Sequence, residues 1–470
     1  MDETRTPAAT ASEPLSGGRG HPFGSPAFDV GDVGCVLTEH LIEGVAQSYR
    51  PSGDDGTSGL DGRWQTEVGG TAGYRSRVYV VRPADPARFN GVVLVNWQNV
   101  TAGVDLGMPA RRELELGFAW VGVTAQRVAV EGQTGIAGVL PDTEGLPAWD
   151  PQRYGSLHHP GDEFSYDIFS QAGRLVRTDR PTGPVDLLGG LEPRVVLAMG
   201  GSQSSMRLGS YLDMAHQRDR VFDGFCLHVH WGICPRPPDQ PLQPSFAPAG
   251  GGLFAGSSQV RDDGGVPILV ISTESEFAHN LPVRQPETDT FRHWEVAGAA
   301  HATAQSATEM EAVFARDGIT NILDAPDRNA VDWSYVLYAG LQRLTEWVES
   351  GTPPGSLPRL AVADDGHSIA RDADGNAVGG IRLPDLVAPT GVHLGTNAGN
   401  PLAALTGQTT PFTSEQLAAH YAGADNYLRR WDAAVDELAR QGLVLADDAD
   451  EARRAARSAA ASLWPQEVAT

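Results

Sequence analysis

Short apolar runs rich in valine, isoleucine and leucine alternate with helix-compatible stretches along the first 350 residues. The runs predict strands, and they are RVYVVRP (77–83), GVVLVNW (91–97), FAWVGVTA (118–125), VVLAMGG (195–201), FDGFCLHVHW (222–231), VPILVIST (266–273) and FRHWEVAG (291–298). Helices are predicted in VDLGMPARRELELG (104–117), SYDIFSQAGRLVR (165–177), SSMRLGSYLDMAHQRD (204–219) and DWSYVLYAGLQRLTEWVES (332–350). This alternation is typical of a mostly parallel sheet with helices on both faces, so we expect the α/β class.

A glycine-rich turn joins one of these strands to the helix after it, in VVLAMGGSQSSMRL (195–208). The order strand, Gly-x-Ser-x-small, helix is typical of the nucleophile elbow of a serine hydrolase, and it makes Ser202 the candidate nucleophile. The turn is strained and the helix must pack closely on the strand, so its neighbours must be small. Gly200, Gly201, Ser204 and Ser205 meet that need.

A histidine and a carboxylate follow two later strands. His301 comes after the strand 291–298 and a small-residue turn, and it would take the serine proton and return it to the leaving alcohol. Glu276, just past the strand 266–273, is the first choice for the carboxylate that orients the histidine, with Glu274 as the alternative. The order Ser202, Glu276, His301 is the order found in α/β-hydrolases, so we predict that fold.

An oxyanion hole needs two N–H groups aimed at the developing charge. We expect one from the backbone of Gln203, directly after the nucleophile, and the other from Gln98, with Asn99 as second choice. We expect the substrate pocket at the ends of the strands, where side chains of adjacent strands meet. The residues predicted to line it are Trp97, Asn99, His228, His230 and Trp231. Alternate histidines in H-V-H share a face and could bind a metal. We favour a role for these histidines in the wall of the pocket, and we predict no metal or other cofactor.

The chain divides into three regions by composition. Residues 1–25 are rich in Ser, Gly, Pro and Thr and predict a disordered tail. Residues 26–350 hold the catalytic core, with a Pro/Gly-rich irregular insertion at 232–265. Residues 351–470 begin with loops and short strands and continue in charged helices. They predict a C-terminal extension or a lid-like lobe near the mouth of the active site.

The net charge and the absence of targeting patterns in the sequence exclude some classes of binding partner and location. The 470 residues carry a net charge of −24, which argues against nucleic acid and anionic membranes. The N-terminus has no signal-peptide pattern, and no run of about 18 apolar residues occurs, so we expect a cytoplasmic protein without a membrane span. The expected partner is a small-molecule ester or lactone. The sequence allows a homo-oligomer but does not specify one.

The chain resembles a large group of mostly uncharacterised bacterial proteins, the α/β-hydrolase-domain proteins, over about residues 28–465. The matching segments are GVVLVNWQNVTAG, GFAWVGVTAQRV, GGSQSSMRLGSYL, VFDGF, RQPETDTFRHWEVAGAAHA and GNAVGGIRLP. The Gly-x-Ser-Gln-Ser elbow is similar to the form used by that group. The resemblance implies hydrolysis of a carboxylic ester through an acyl-enzyme, with Ser202 as nucleophile, His301 as base and Glu276 as acid.

The sequence therefore predicts a serine esterase or lactonase with a Ser-His-Glu triad. Alternatives are an acyltransferase that uses the same acyl-enzyme, a lyase or C–C bond hydrolase on this scaffold, and a non-catalytic binding protein. An intact triad argues against the binding protein. Partition of the acyl group between water and a competing nucleophile separates hydrolase from transferase.

Overall fold

The structure is a computed structural model that describes residues 8–51, 61–135, 140–177, 185–235, 257–397 and 402–465. The strands of this part of the chain are β1 (Thr10–Ala11), β2 (Cys35–Pro51), β3 (Thr66–Pro83), β4 (Val92–Trp97), β5 (Ala119–Val123), β6 (Gly132–Gln133), β7 (Thr143–Glu144), β8 (Val195–Gly201), β9 (Gly224–His228), β10 (Ile268–Thr273), β11 (Phe291–Val296), β12 (Gly391–Leu394) and β13 (Gln408–Pro411).

A nine-stranded sheet of the described residues has the order β1-β2-β3-β5-β4-β8-β9-β10-β11. The strands from β5 to β11 in this order are parallel to their neighbours, whereas β1, β2 and β3 pair antiparallel at one side. The pairs β6–β7 and β12–β13 form two small antiparallel sheets. Because consecutive parallel strands end at the same edge, the segments after β4, β8, β9, β10 and β11 meet there.

Helices cover both faces of the main sheet. They are α1 (Arg111–Glu115), α2 (Arg127–Glu131), α3 (Leu146–Trp149), α4 (Pro151–Tyr154), α5 (Ser165–Leu175), α6 (Gln203–Met214), α7 (His216–Asp219), α8 (Phe277–Asn280), α9 (Ala304–Asp317), α10 (Ser334–Ser350), α11 (Pro384–Val387), α12 (Ser414–His420), α13 (Ala424–Gln441) and α14 (Ala446–Leu463). None of these described helices has the length and low polarity needed to cross a membrane.

The strands are buried on both sides, which explains their continuous apolar sequence. Val93 and Val95 of β4 belong to the same core cluster as Phe169 of α5. Leu94 belongs to the cluster on the opposite face, together with Leu341 of α10. Successive side chains of a strand point to opposite faces, so a strand between two helical layers needs apolar residues at every position. The predicted α/β class is confirmed.

The N-terminal region differs from the predicted disordered tail. Residues 1–7 lie outside the described residues, but β1 pairs with β2 through Thr10 and Glu43. The Phe23 ring is buried, and its backbone N–H donates to the hydroxyl of Tyr154 at 3.0 Å. The prediction was wrong for residues 8–25, because contacts with distant parts of the chain order a segment whose own composition is polar.

The C-terminal region continues the core. Trp431 and Val435 of α13 and Ala456 of α14 share one hydrophobic cluster with Leu341 and Trp347 of α10. The C-terminal region therefore extends the hydrophobic core and does not form a separate lid-like lobe. The charged sequence of α13 forms its outer face, while its apolar stripe packs inward.

Isolated bridges hold the irregular segments. Of the predicted insertion 232–265, residues 236–256 lie outside the described residues, and its two ends are joined by a bridge between Ile233 and Ser257. Within residues 359–384, isolated bridges such as that between Leu360 and Gly379 take the place of the short strands predicted for the start of the C-terminal region.

His393 of β12 gives a pH-dependent prediction. It is 3% exposed, and burial lowers its pKa from 6.5 to about 4. Between pH 6.5 and pH 4 the imidazole is therefore protonated in the unfolded chain but neutral in the folded one. The free energy of unfolding falls by about 3 kcal/mol as the pH falls through this range. We expect His393→Gln to destabilise the protein most at pH 8, with the gap to the parent narrowing toward pH 4. Denaturant titrations at a series of pH values measure this gap, and a constant gap would contradict the assignment.

Candidate active site

The turn between β8 and α6 has the geometry of a nucleophile elbow. Ser202 adopts φ 58° and ψ −119°, a left-handed conformation that is strained for a residue other than glycine. Its N–H donates to the carbonyl oxygen of His228 at 3.0 Å. A Cβ atom on Gly201 would lie 2.3 Å from the ring of His228, so the position before the serine requires glycine. These contacts present Ser202 at the carboxyl edge of the sheet.

His301 and Glu276 lie in direct contact. The Nδ1 atom of His301 is 2.6 Å from Oε1 of Glu276, whose side chain is fully buried. The other carboxylate oxygen of Glu276 accepts the N–H and the hydroxyl of Thr273, at 2.7 and 2.8 Å. With Nδ1 facing the carboxylate, Nε2 of His301 is the nitrogen left to act on a substrate or on the serine.

Glu274, the alternative acid, points to a different set of partners. Its carboxylate accepts the N–H groups of Gly298 at 2.9 Å and Gly395 at 3.2 Å, and it pairs with Arg371 at 3.0 Å. It therefore ties the loop after β11 to the C-terminal region. Of the two candidate acids, Glu276 is the one that contacts His301.

The two glutamates predict opposite outcomes on substitution. Glu276→Gln removes the charge that orients the imidazole and stabilises the imidazolium, and we expect kcat to fall about 10³-fold or more. Glu274→Gln should change kcat little but lower the free energy of unfolding by about 1–3 kcal/mol, because buried charged hydrogen bonds are lost. Kinetics and denaturant titration of both variants measure this, and the reverse ranking in kcat would transfer the acid to Glu274.

Trp231 connects the serine and the histidine. Its indole N–H lies 3.4 Å from Oγ of Ser202, and its ring stacks on that of His301 with centroids 5.1 Å apart. Trp231 also makes an edge-on contact with His279, with ring centroids 4.9 Å apart. Trp231 therefore fixes the plane of the histidine ring beside the serine.

A cavity of about 310 Å³ is lined by both Ser202 and His301. Its walls are mainly apolar, and they come from the loop after β4, from β5 and β8, and from α9 and α10. Among the described residues beyond 351, Leu402 and Leu405 reach it, whereas α13 and α14 do not line it. The cavity is at the lower end of the size of small-molecule sites.

Gln203 and Asn99, two of the residues predicted for the oxyanion hole, lie at the elbow. Gln203 is the first residue of α6, where a backbone N–H has no acceptor within the helix. Its side chain accepts the N–H of Val100 at 3.1 Å and donates to Gln126 at 2.6 Å, which ties the loop after β4 to the elbow. Asn99 lines the cavity and donates its side-chain amide to the carbonyl oxygen of Gly201 at 3.0 Å.

The assignment of Gln98 to the oxyanion hole is not supported by the geometry. Its backbone N–H donates to the carbonyl oxygen of Val123 at 3.1 Å, so it extends the pairing of β4 with β5 and is not free for a substrate. Its side chain packs close to Gly107 and Gly122. The backbone N–H of Asn99, the second choice, is also occupied, since it donates to the carbonyl oxygen of Leu106 at 2.7 Å.

Three residues predicted for the pocket do not line the cavity. One of them, Trp231, contacts Ser202 and His301 instead, and the other two lie in the core. Trp97 is fully buried in the core, where its indole N–H donates to Gln126 at 3.0 Å and its ring packs on Phe169. His230 is also buried, with Nδ1 3.2 Å from the hydroxyl of Ser205. Alternation along a strand explains Trp97, since it points to the face opposite to the cavity.

His228 does line the cavity. Burial, with a smaller contribution from nearby His301, lowers its pKa to about 4, so it is neutral at pH 7. Val229 after it has φ 44°, an unusual value for a β-branched residue. This left-handed residue breaks the strand alternation, so His228 lines the cavity while His230 is buried beside Ser205.

Comparison with known proteins adds a family. A family sequence model described as an alpha/beta hydrolase domain matches residues 8–454. No curated protein matches the chain.

Solved structures with detectable similarity include esterases. Esterase 2 of Thermogutta terrifontis is 17% identical, with a TM-score of 0.24, over 42% of this chain and 66% of that protein, just under two thirds of its length. A hyperthermophilic esterase from the archaeon Pyrobaculum calidifontis is 15% identical, with a TM-score of 0.26, over 47% and 70%. Brefeldin A esterase, a bacterial homologue of human hormone-sensitive lipase, is 11% identical, with a TM-score of 0.25, over 49% and 60%. The sequence model alone carries the assignment: the chain belongs to the alpha/beta hydrolase domain family.

Proposed function

We propose that this protein is a serine hydrolase that cleaves a carboxylic ester or lactone through an acyl-enzyme on Ser202. The observation that carries the proposal is the 2.6 Å contact between His301 and the fully buried Glu276, beside a serine with a positive φ in the same cavity. A strained serine and a buried histidine–carboxylate pair each lower the stability of the fold. Their occurrence together in one cavity is typical of a site for nucleophilic catalysis.

In the proposed reaction, Ser202 Oγ attacks the ester carbonyl carbon while Nε2 of His301 takes the hydroxyl proton. Glu276 holds the proton of Nδ1 and stabilises the imidazolium. The backbone N–H of Gln203 donates to the oxyanion, which is worth roughly 3 kcal/mol in the transition state. His301 then protonates the leaving alkoxide, and the acyl group stays on Ser202.

The second half of the reaction repeats these steps with water. His301 removes a proton from water, the hydroxide attacks the acyl carbon, and collapse of the tetrahedral intermediate returns the proton to Ser202 Oγ. The same acyl-enzyme would serve an acyltransferase if an alcohol replaced water. The mainly apolar cavity favours a substrate of small to medium size.

A panel of p-nitrophenyl esters and lactones tests the proposal. We expect turnover of short and medium acyl esters, with a burst of p-nitrophenolate when deacylation is slower than acylation. Addition of hydroxylamine should divert part of the acyl group to a hydroxamate. Absence of turnover on the whole panel, with no acyl adduct by intact mass, would contradict the proposed function.

A further inference from the structure

Glu113 of α1 is a buried acid in the wall of the active-site cavity. It is 3% exposed and lines the cavity together with Trp120 and Tyr338. One carboxylate oxygen accepts the backbone N–H of Ala110 at 3.0 Å. Within the described ranges, no other group hydrogen-bonds to this carboxyl, and the mechanism above does not use it.

Several other buried carboxylates of this protein have arginine partners. Glu39 pairs with Arg77 at 2.8 Å, and Glu295 pairs with Arg284 at 2.7 Å. A buried carboxylate without a partner is destabilising, so these pairs are the expected arrangement. Glu113 has no such partner among the described residues, and its position in a cavity wall leaves room for a ligand to supply one.

The charges around the cavity have one sign. Glu309 of α9 also lines it, at a half-buried position, and the cavity has no lysine or arginine among its described lining residues. Burial, followed by the backbone hydrogen bond that opposes it and by repulsion from Glu309, leaves the pKa of Glu113 raised to about 7. A cation placed in the cavity would relieve both the burial cost and the repulsion. The net charge of −24 attracts cations at long range as well.

We propose that the cavity selects esters that carry an ammonium group, with Glu113 as its counter-ion and Glu309 as a second, weaker one. This inference rests on the proposed esterase function and names its substrate class. A carboxylate-bearing ester would meet two acids and no cation, so the same cavity excludes it.

A matched pair of substrates tests the inference. p-Nitrophenyl 6-aminohexanoate and p-nitrophenyl heptanoate have equal chain lengths and differ by an ammonium group in place of a methyl group. At pH 8, where Glu113 is mainly ionised, we expect kcat/KM to be higher for the ammonium ester. Glu113→Gln should lower the ratio of the two kcat/KM values about tenfold, because a charged pair is replaced by a neutral contact. Glu309→Gln should lower it less.

Glu115→Gln is the control. Glu115 is exposed on the same helix, so this variant removes the same charge outside the cavity and should keep the parental ratio. A parental enzyme that prefers the heptanoate, or a ratio that neither Glu113→Gln nor Glu309→Gln changes, would overturn the inference.

A binding measurement separates this inference from the proposed function. Calorimetric titration with 6-aminohexanamide and heptanamide needs no ester cleavage. If neither ester is hydrolysed, the proposed function fails, and a preference for the ammonium amide that Glu113→Gln abolishes would still support the cationic site. Equal affinity for both amides in the parent would overturn it.

Discussion

Ser202→Ala is expected to lower kcat by about 10⁴-fold or more on any ester that the parent hydrolyses. The variant keeps the elbow, the cavity and the His301–Glu276 contact but loses the oxygen atom that forms the acyl-enzyme in the proposed mechanism. Removing one member of a triad disables the unit, so little of the rate enhancement should remain beyond that from binding and the oxyanion hole. Steady-state kinetics with a p-nitrophenyl ester measures this.

Ser210→Ala is the matched control for that substitution. Ser210 is buried in the same helix α6, and its hydroxyl donates to the carbonyl oxygen of Pro235 at 2.6 Å. Its loss should affect stability more than kcat. Turnover close to the parental value in Ser202→Ala would show that another residue is the nucleophile.

His301→Ala is the second substitution with a very large expected effect, again about 10⁴-fold or more in kcat. Without the imidazole, Ser202 loses the proton acceptor that is paired with a carboxylate, and Glu276 faces an empty site. The loss should appear in the acylation burst as well as in steady-state turnover, because both half-reactions need the base.

His279→Ala tests whether the effect comes from the base or from disturbance of Trp231. His279 packs edge-on against Trp231, with ring centroids 4.9 Å apart, while His301 stacks on the same ring at 5.1 Å. We expect a small change in kcat for His279→Ala. Equal losses in the two variants would mean that Trp231, and not proton transfer, explains the loss in His301→Ala.

The fold and the order of the candidate triad were predictable because local patterns specify them. Continuous apolar strands require a covered sheet, and glycines before Ser202 are needed where the ring of His228 lies within 2.3 Å of a would-be Cβ. The choice between Glu274 and Glu276 was not available from the sequence. Both follow β10 closely, and which one faces His301 depends on the short 3-10 turn that begins at Glu274.

The errors have physical causes that a single sequence does not display. Gln98 continues a strand pairing with Val123 that depends on a distant segment. The positive φ of Val229 has no sequence signal, since valine disfavours that conformation, and it redirects His228 and His230. In the sequence, Glu113 is one of several charged residues in a predicted polar helix, and nothing distinguishes it from its neighbours. It lies in the cavity wall because α1 contacts β3 and buries Leu114 in the main core cluster.

Intact mass spectrometry after exposure to a fluorophosphonate tests the central claim most directly. The probe reacts with a serine only where a base and an oxyanion hole activate it. The account predicts one adduct on the parent protein and none on Ser202→Ala, with Ser210→Ala labelled like the parent. An unlabelled parent protein, or an adduct that persists in Ser202→Ala, would contradict an activated Ser202.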